Sequence, residues 1–78
     1  MTTLKLLQTL EQLQHESFKY YIELVDISDE YEYQIIIPCT KEQGAYITLV
    51  LNEDYEIGVT TEFIVDHLII DTGITIKE

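Results

Sequence analysis

Seventy-eight residues hold fifteen Asp and Glu against four Lys and no Arg, a formal net charge of −11. That balance repels phosphate, so direct binding to DNA, RNA or an anionic membrane is disfavoured and basic protein surfaces become the natural partners. A chain this short has room for one core, and its 46% hydrophobic residues fall in patterned runs that predict one folded domain over 1–78.

Cys39 is the lone cysteine, which leaves no internal disulfide and fits a reducing compartment, the cytoplasm. The N-terminus carries no signal-peptide pattern, because Leu4 to Leu13 is interrupted by Lys5, Gln8, Thr9, Glu11 and Gln12. The longest apolar clusters, Ile35–Ile37 and Leu68–Ile70, are far too short to span a bilayer.

In chain order, Thr2 or Thr3 can cap a first helix that runs to about His15. Leu4, Leu7, Leu10 and Leu13, with Leu6 beside them, form its apolar stripe, which packs on a sheet or pairs with a second copy. The period then changes. Residues 18–25 alternate apolar and polar and predict a strand, Ser28 and Asp29 a two-residue turn, and residues 31–37 a second strand. That turn pairs Ile22 with Ile35 and Leu24 with Tyr33 on one face, and Glu23 with Gln34 and Val25 with Glu32 on the other. Pro38 ends the second strand, and residues 38–44 read as a polar loop closed by Gly44. Alternation over 45–51 predicts a third strand, Asn52-Glu53-Asp54 a tight turn, and 55–59 a fourth strand. The expected core is Leu7, Leu10, Ile22, Ile35, Ile47, Leu49 and Ile57. The C-terminal segment reads as a short helix from Glu62 to about Ile70 with Gly73 as its stop. The alternative is a hairpin joining 68–70 to 74–76 through Asp71-Thr72-Gly73. The fold class is therefore α+β: an N-terminal helix packed on a four-stranded antiparallel sheet, followed by a short C-terminal helix or a hairpin.

Motifs for chemistry are sparse. Leu68-Ile69-Ile70-Asp71-Thr72-Gly73 resembles the apolar-apolar-Asp-Thr-Gly signature of aspartic proteases. That family needs most of a domain after the motif, and here only Ile74 to Glu78 follow, so the segment reads as a turn or a helix exit. Cys39, His15 and His67 are far apart in sequence and read as a packing thiol and two surface imidazoles, not as a nucleophile and base. Three scattered glycines make no phosphate cradle, and one Cys with two distant His makes no zinc spacing. The acid-rich turn of Asp26, Asp29, Glu30 and Glu32 lacks the order and the glycine of a calcium loop. Neither a cofactor nor a metal site is expected, and the chain is expected to act by binding and not by catalysis.

What remains is the acids. Glu23, Glu32 and Glu56 fall on the expected outer face of the sheet, with Tyr21 and Tyr46 among them. Asp26, Asp29 and Glu30 occupy one turn, with Tyr31 beside it, and Glu53 and Asp54 another. Acids two apart on a strand stand about 6.7 Å from each other, near the spacing of successive backbone phosphates. A net charge of ~2–8 suffices for the solubility of a small domain, so the excess points to recognition. The candidate partner-binding set is Glu23, Asp26, Asp29, Glu30, Tyr31, Glu32 and Tyr21 from the first hairpin, with Glu53, Asp54 and Glu56.

In size, in charge and in the acidic clusters Asp26–Glu32 and Glu53–Glu56 on an α-β-β-β framework, the chain resembles small acidic phage-encoded inhibitors. These include anti-CRISPR proteins, anti-restriction proteins and uracil-DNA glycosylase inhibitors, several of which mimic DNA. The resemblance is one of composition over the whole chain and transfers no residue role. It implies an inhibitor in the host cytoplasm that covers the basic nucleic-acid-binding surface of an enzyme, with a CRISPR effector as the first candidate. The alternatives are an immunity protein or antitoxin that neutralises a basic toxin, and a small structural or regulatory subunit that oligomerises, for example as a homodimer, through its leucine stripe and sheet edge.

Overall fold

The computed structural model describes residues 3–53 and 57–77. Its elements are α1 (Thr3–His15), β1 (Tyr21–Ile27), β2 (Glu30–Pro38), α2 (Lys41–Glu53), β3 (Thr60–Ile64) and β4 (His67–Lys77). The strands form one antiparallel sheet in the order β1-β2-β4-β3. Both helices pack on the same face of it, and among the described residues the opposite face carries no helix. The α+β class and the four-stranded antiparallel sheet agree with the expectation; half of the element assignment does not.

The first half follows its sequence pattern. α1 starts at Thr3, and Thr2 lies outside the described residues. The helix ends in a Schellman motif: Phe18 N donates to Leu13 O and Ser17 N to Gln14 O, both at 3.0 Å, with Ser17 left-handed at φ 75°. The buried leucines of α1 are Leu6, Leu10 and Leu13, whereas Leu4 and Leu7 are exposed. A spacing of three residues lags the 3.6-residue turn, so Leu4 and Leu13 stand about 180° apart around the helix. Only the 6-10-13 set keeps one face. The first hairpin has the expected register, with Ile22↔Ile35, Glu23↔Gln34, Leu24↔Tyr33 and Val25↔Glu32. Its turn is Ser28-Asp29, and Ser28 takes φ 56°, the sign that a two-residue hairpin loop requires at its first position.

The second half departs from the expectation. Residues 45–51 are not a strand but the body of α2. A reciprocal capping box starts that helix: Gln43 N donates to Thr40 Oγ1 at 3.2 Å and Thr40 N to Gln43 Oε1 at 2.9 Å. The buried positions Gly44, Ile47 and Leu51 follow helical spacing, which leaves Leu49 exposed. Gly44 is not the end of a loop. It lets α2 approach β3, since a Cβ there would stand 3.0 Å from the Phe63 ring. Of the expected fourth strand, Tyr55 and Glu56 lie outside the described residues, Ile57 is buried, and 57–59 form no strand.

Neither reading of the C-terminal segment holds. Residues 62–70 form no helix, and no hairpin turns at 71–73. The hairpin is instead β3–β4, with Ile64 opposite His67 and Val65-Asp66 as the turn, Val65 at φ 53°. Asp71-Thr72-Gly73 lies within β4 as a bulge. Gln34 pairs with Asp71 and Glu32 with Thr75, so Thr72 to Ile74 oppose Tyr33 alone. Buried Thr72 closes the bulge: its Oγ1 donates to Tyr33 O at 2.7 Å and accepts from Ile74 N at 3.1 Å. The core lies between the helices and the central strands. It comprises Leu6, Leu10 and Leu13 of α1, Ile35 and Ile37 of β2, Ile47 and Leu51 of α2, Leu68 and Ile70 of β4, and Ile57. Leu7, Ile22 and Leu49, expected inside, are exposed.

Candidate partner-binding surface

Residues paired across an antiparallel ladder share a face, so the register states which side chains the bare face carries. One row is Tyr21, Ile36, Ile69 and Glu62. The next is Glu23, Gln34, Asp71 and Thr60. Val25, Glu32 and Thr75 follow, then Ile27, Glu30 and Lys77. His67 and Ile64 stand beyond the first row. The face thus holds Glu23, Glu30, Glu32, Glu62 and Asp71 against Lys77 and one imidazole. Two shallow depressions mark it. One, of about 520 Å³, is lined by Tyr21, Ile36, Ile64 and Ile69 with Glu23 and His67. The other, of about 480 Å³, is lined by Glu32, Gln34, Thr60 and Asp71 among others. Asp71 is held in place, with Gln34 Nε2 donating to its Oδ1 and Thr60 Oγ1 to its Oδ2.

The expected site residues divide. Tyr21, Glu23, Glu30 and Glu32 share this face. Asp26 and Tyr31 are opposite one another on the helix side of the sheet, and Asp29 is in the turn. Glu53 ends α2, in the helix layer. Asp54 and Glu56 lie outside the described residues. Tyr46 is on α2 and not on the sheet. Its hydroxyl donates to Glu16 Oε1 at 2.6 Å, its ring stacks on Phe18 with centroids 6.4 Å apart, and the bond to Glu16 pushes its pKa up. The acids that the sequence reading missed are Glu62 and Asp71. Strict alternation from Leu68 to Ile76 would have placed Asp71 on the polar side of a strand, but the Asp-Thr-Gly run reads as a turn.

Cys39 packs against the core, where burial pushes its thiol up, against a smaller opposing effect from a backbone hydrogen bond at Leu68. His67 is opposite Pro38, one residue from Cys39, but its imidazole lines the bare face. His15 ends α1. Among the described residues, no three His, Cys, Asp or Glu side chains gather as metal ligands, and no helix is long and apolar enough to cross a membrane.

No protein-family model, no curated protein and no solved structure matches this chain. The reading of its function therefore stands on the surface itself. The bare face can do two things chemically. Its carboxylates can pair with Lys and Arg, and Tyr21, Ile36, Ile64 and Ile69 can bury apolar area next to those pairs.

Proposed function

We propose that the chain is an acidic binding protein that covers a basic surface of its partner with the bare face of its sheet. The partner is a nucleic-acid-binding enzyme, which the chain inhibits by occupying the site of the nucleic acid. Five carboxylates on one sheet face, in a chain of net charge −11, carry the proposal. They are held on rigid strands, so little ordering entropy opposes their use. A groove that holds a duplex is lined with positive charge, and such a pair associates fast and with strong dependence on salt. The apolar patch beside the acids gives the complex a slow-dissociating component that charge alone does not supply.

The test is capture with competition. The immobilised chain retains a protein that either double-stranded DNA or RNA displaces, and a variant with Glu23, Glu30, Glu32 and Glu62 changed to Gln retains none of it. A captured protein that nucleic acid does not displace contradicts the inhibitory reading. Undiminished capture by the Gln variant contradicts the assignment of the face.

A further inference from the structure

The sheet has two outer strands, and the helix layer treats them differently. β3 has five residues, and α2 lies against its helix-side flank: the hydroxyls of Thr48 and Thr61 are hydrogen-bonded at 3.2 Å, and Phe63 lies close to Gly44. β1 has seven residues, and its apolar side chains on the helix side, Ile22 and Leu24, are 56% and 53% exposed. The two-residue turn fixes the direction of the backbone groups in β1. Ile27 and Glu30 flank the turn as a hydrogen-bonded pair, so Val25, Glu23 and Tyr21 bond inward to β2. The N–H and C=O groups of Ile22, Leu24 and Asp26 therefore point away from the sheet.

An outer strand is ordinarily guarded by a Lys, a Pro or a bulge. The sequence of β1, Tyr-Ile-Glu-Leu-Val-Asp-Ile, has no such residue and pairs with β2 without a shift. Beside it, Ile22 walls an apolar cleft of about 110 Å³ shared with Leu6, Leu7, Leu10, Tyr33 and Ile74. Leu4, one helical turn before Leu7, is exposed as well. The guard is charge. A second copy brings −11 against −11, and that repulsion opposes the pairing of two β1 strands in any register. The edge thus repels its own kind and remains open to the opposite charge.

We infer that β1 accepts an added strand from the partner: an extended segment in which apolar residues alternate with Lys or Arg. Its backbone pairs with Ile22, Leu24 and Asp26. Its apolar side chains lie on the helix side, beside Ile22, Leu24 and the cleft, and its basic side chains lie on the bare face, beside Glu23. The inference rests on the reading that the partner is basic and adds the backbone geometry by which that partner is held.

The probes are two synthetic peptides as long as β1, one alternating Val and Lys and the other alternating Val and Glu. Amide hydrogen exchange is followed by NMR on the full chain. The Val–Lys peptide slows exchange at Ile22, Leu24 and Asp26 by at least about tenfold. It leaves the outward amides of β3, at Thr61 and Phe63, unchanged, and the Val–Glu peptide protects none of them. Leu24→Pro, which removes one outward N–H and none of the bonds to β2, abolishes the protection; where that variant does not fold, the exchange pattern of the unaltered chain decides. Val–Lys binding without protection in β1, or unaffected by Leu24→Pro in a folded chain, overturns strand addition and leaves the basic-partner reading standing. Equal protection by both peptides overturns the role of charge, and with it that reading. Protection in β1 that grows with the concentration of the chain alone makes a second copy the occupant and overturns the inference, as does the absence of binding by either peptide.

Discussion

The hairpins β1–β2 and β3–β4 share one construction. Each closes with a two-residue turn whose first residue is left-handed without being glycine, Ser28 at φ 56° and Val65 at φ 53°, and each contributes one central and one outer strand to the sheet. They differ in what covers them. The outer strand β3 is tied to α2 through Thr48–Thr61 and the Gly44–Phe63 approach, while β1 leaves Ile22 and Leu24 exposed beside α1. The same local geometry therefore serves folding in one hairpin and leaves the other available for contact. Stability resides where strands are covered on the helix side, and candidate recognition where they are not.

The sharpest way to break this comparison is to truncate covered and uncovered apolar side chains. Ile37→Ala and Ile70→Ala remove fully buried groups and should each destabilise the fold by about 2–5 kcal/mol in urea unfolding. Ile35→Ala belongs with them. Leu24→Ala should cost under about 1 kcal/mol, because half the side chain is in solvent already. Equal costs for Leu24 and Ile37 would mean that β1 is part of the core.

A second change tests the bulge in β4. Thr72→Val keeps the shape of the side chain and deletes its bonds to Tyr33 O and Ile74 N. Leaving those part-buried groups without their partner should cost about 1 kcal/mol or more. No loss on thermal or chemical denaturation would show that the hydroxyl does not close the bulge.

The third and smallest effect concerns the turns. A β-branched residue in the left-handed region is strained by about 1–2 kcal/mol relative to glycine, and Val65 is 78% exposed, so its side chain gains little from packing. Val65→Gly should therefore stabilise the fold by up to about 1 kcal/mol once the added freedom of the unfolded glycine is counted. Ser28→Gly should gain less, because a small polar residue tolerates the conformation better. A loss at Val65 would reveal a packing role for its side chain.

The same comparison explains what was legible in the sequence. In the first hairpin, strict alternation and a Ser-Asp turn agree, and they specify the register residue by residue; Tyr21, Glu23 and Glu32 fall on the polar face for that reason, while Glu30, read as part of the turn, begins β2 on that same face. Beyond Pro38 the signals conflict. Ala45, Ile47, Leu49 and Leu51 satisfy a period of two, yet Gly44, Ile47 and Leu51 also satisfy a helix, and Thr40 with Gln43 supplies the cap that decides between them. In the second hairpin Val65-Asp66 carries no glycine or asparagine to punctuate the turn. The one glycine within the strands of this hairpin, Gly73 at φ 73°, marks a bulge. The alternation of β4 from Leu68 to Ile76 was present throughout and was obscured by a tripeptide that ordinarily turns. Glu62 and Asp71 were missed because their strands were misplaced, not because acids on strands are hard to read.

The central claim is that the carboxylates of the bare face serve a partner and not the fold. The direct measurement is the unfolding free energy, in urea at low ionic strength, of the variant with Glu23, Glu30, Glu32 and Glu62 all changed to Gln. Removing four negative charges from a chain of −11 relieves self-repulsion, and none of the side-chain hydrogen bonds among the described residues uses these four carboxylates. The account predicts a variant at least as stable as the natural chain. A loss of more than about 1 kcal/mol, the scale of a typical net hydrogen bond, would make these acids structural and contradict it.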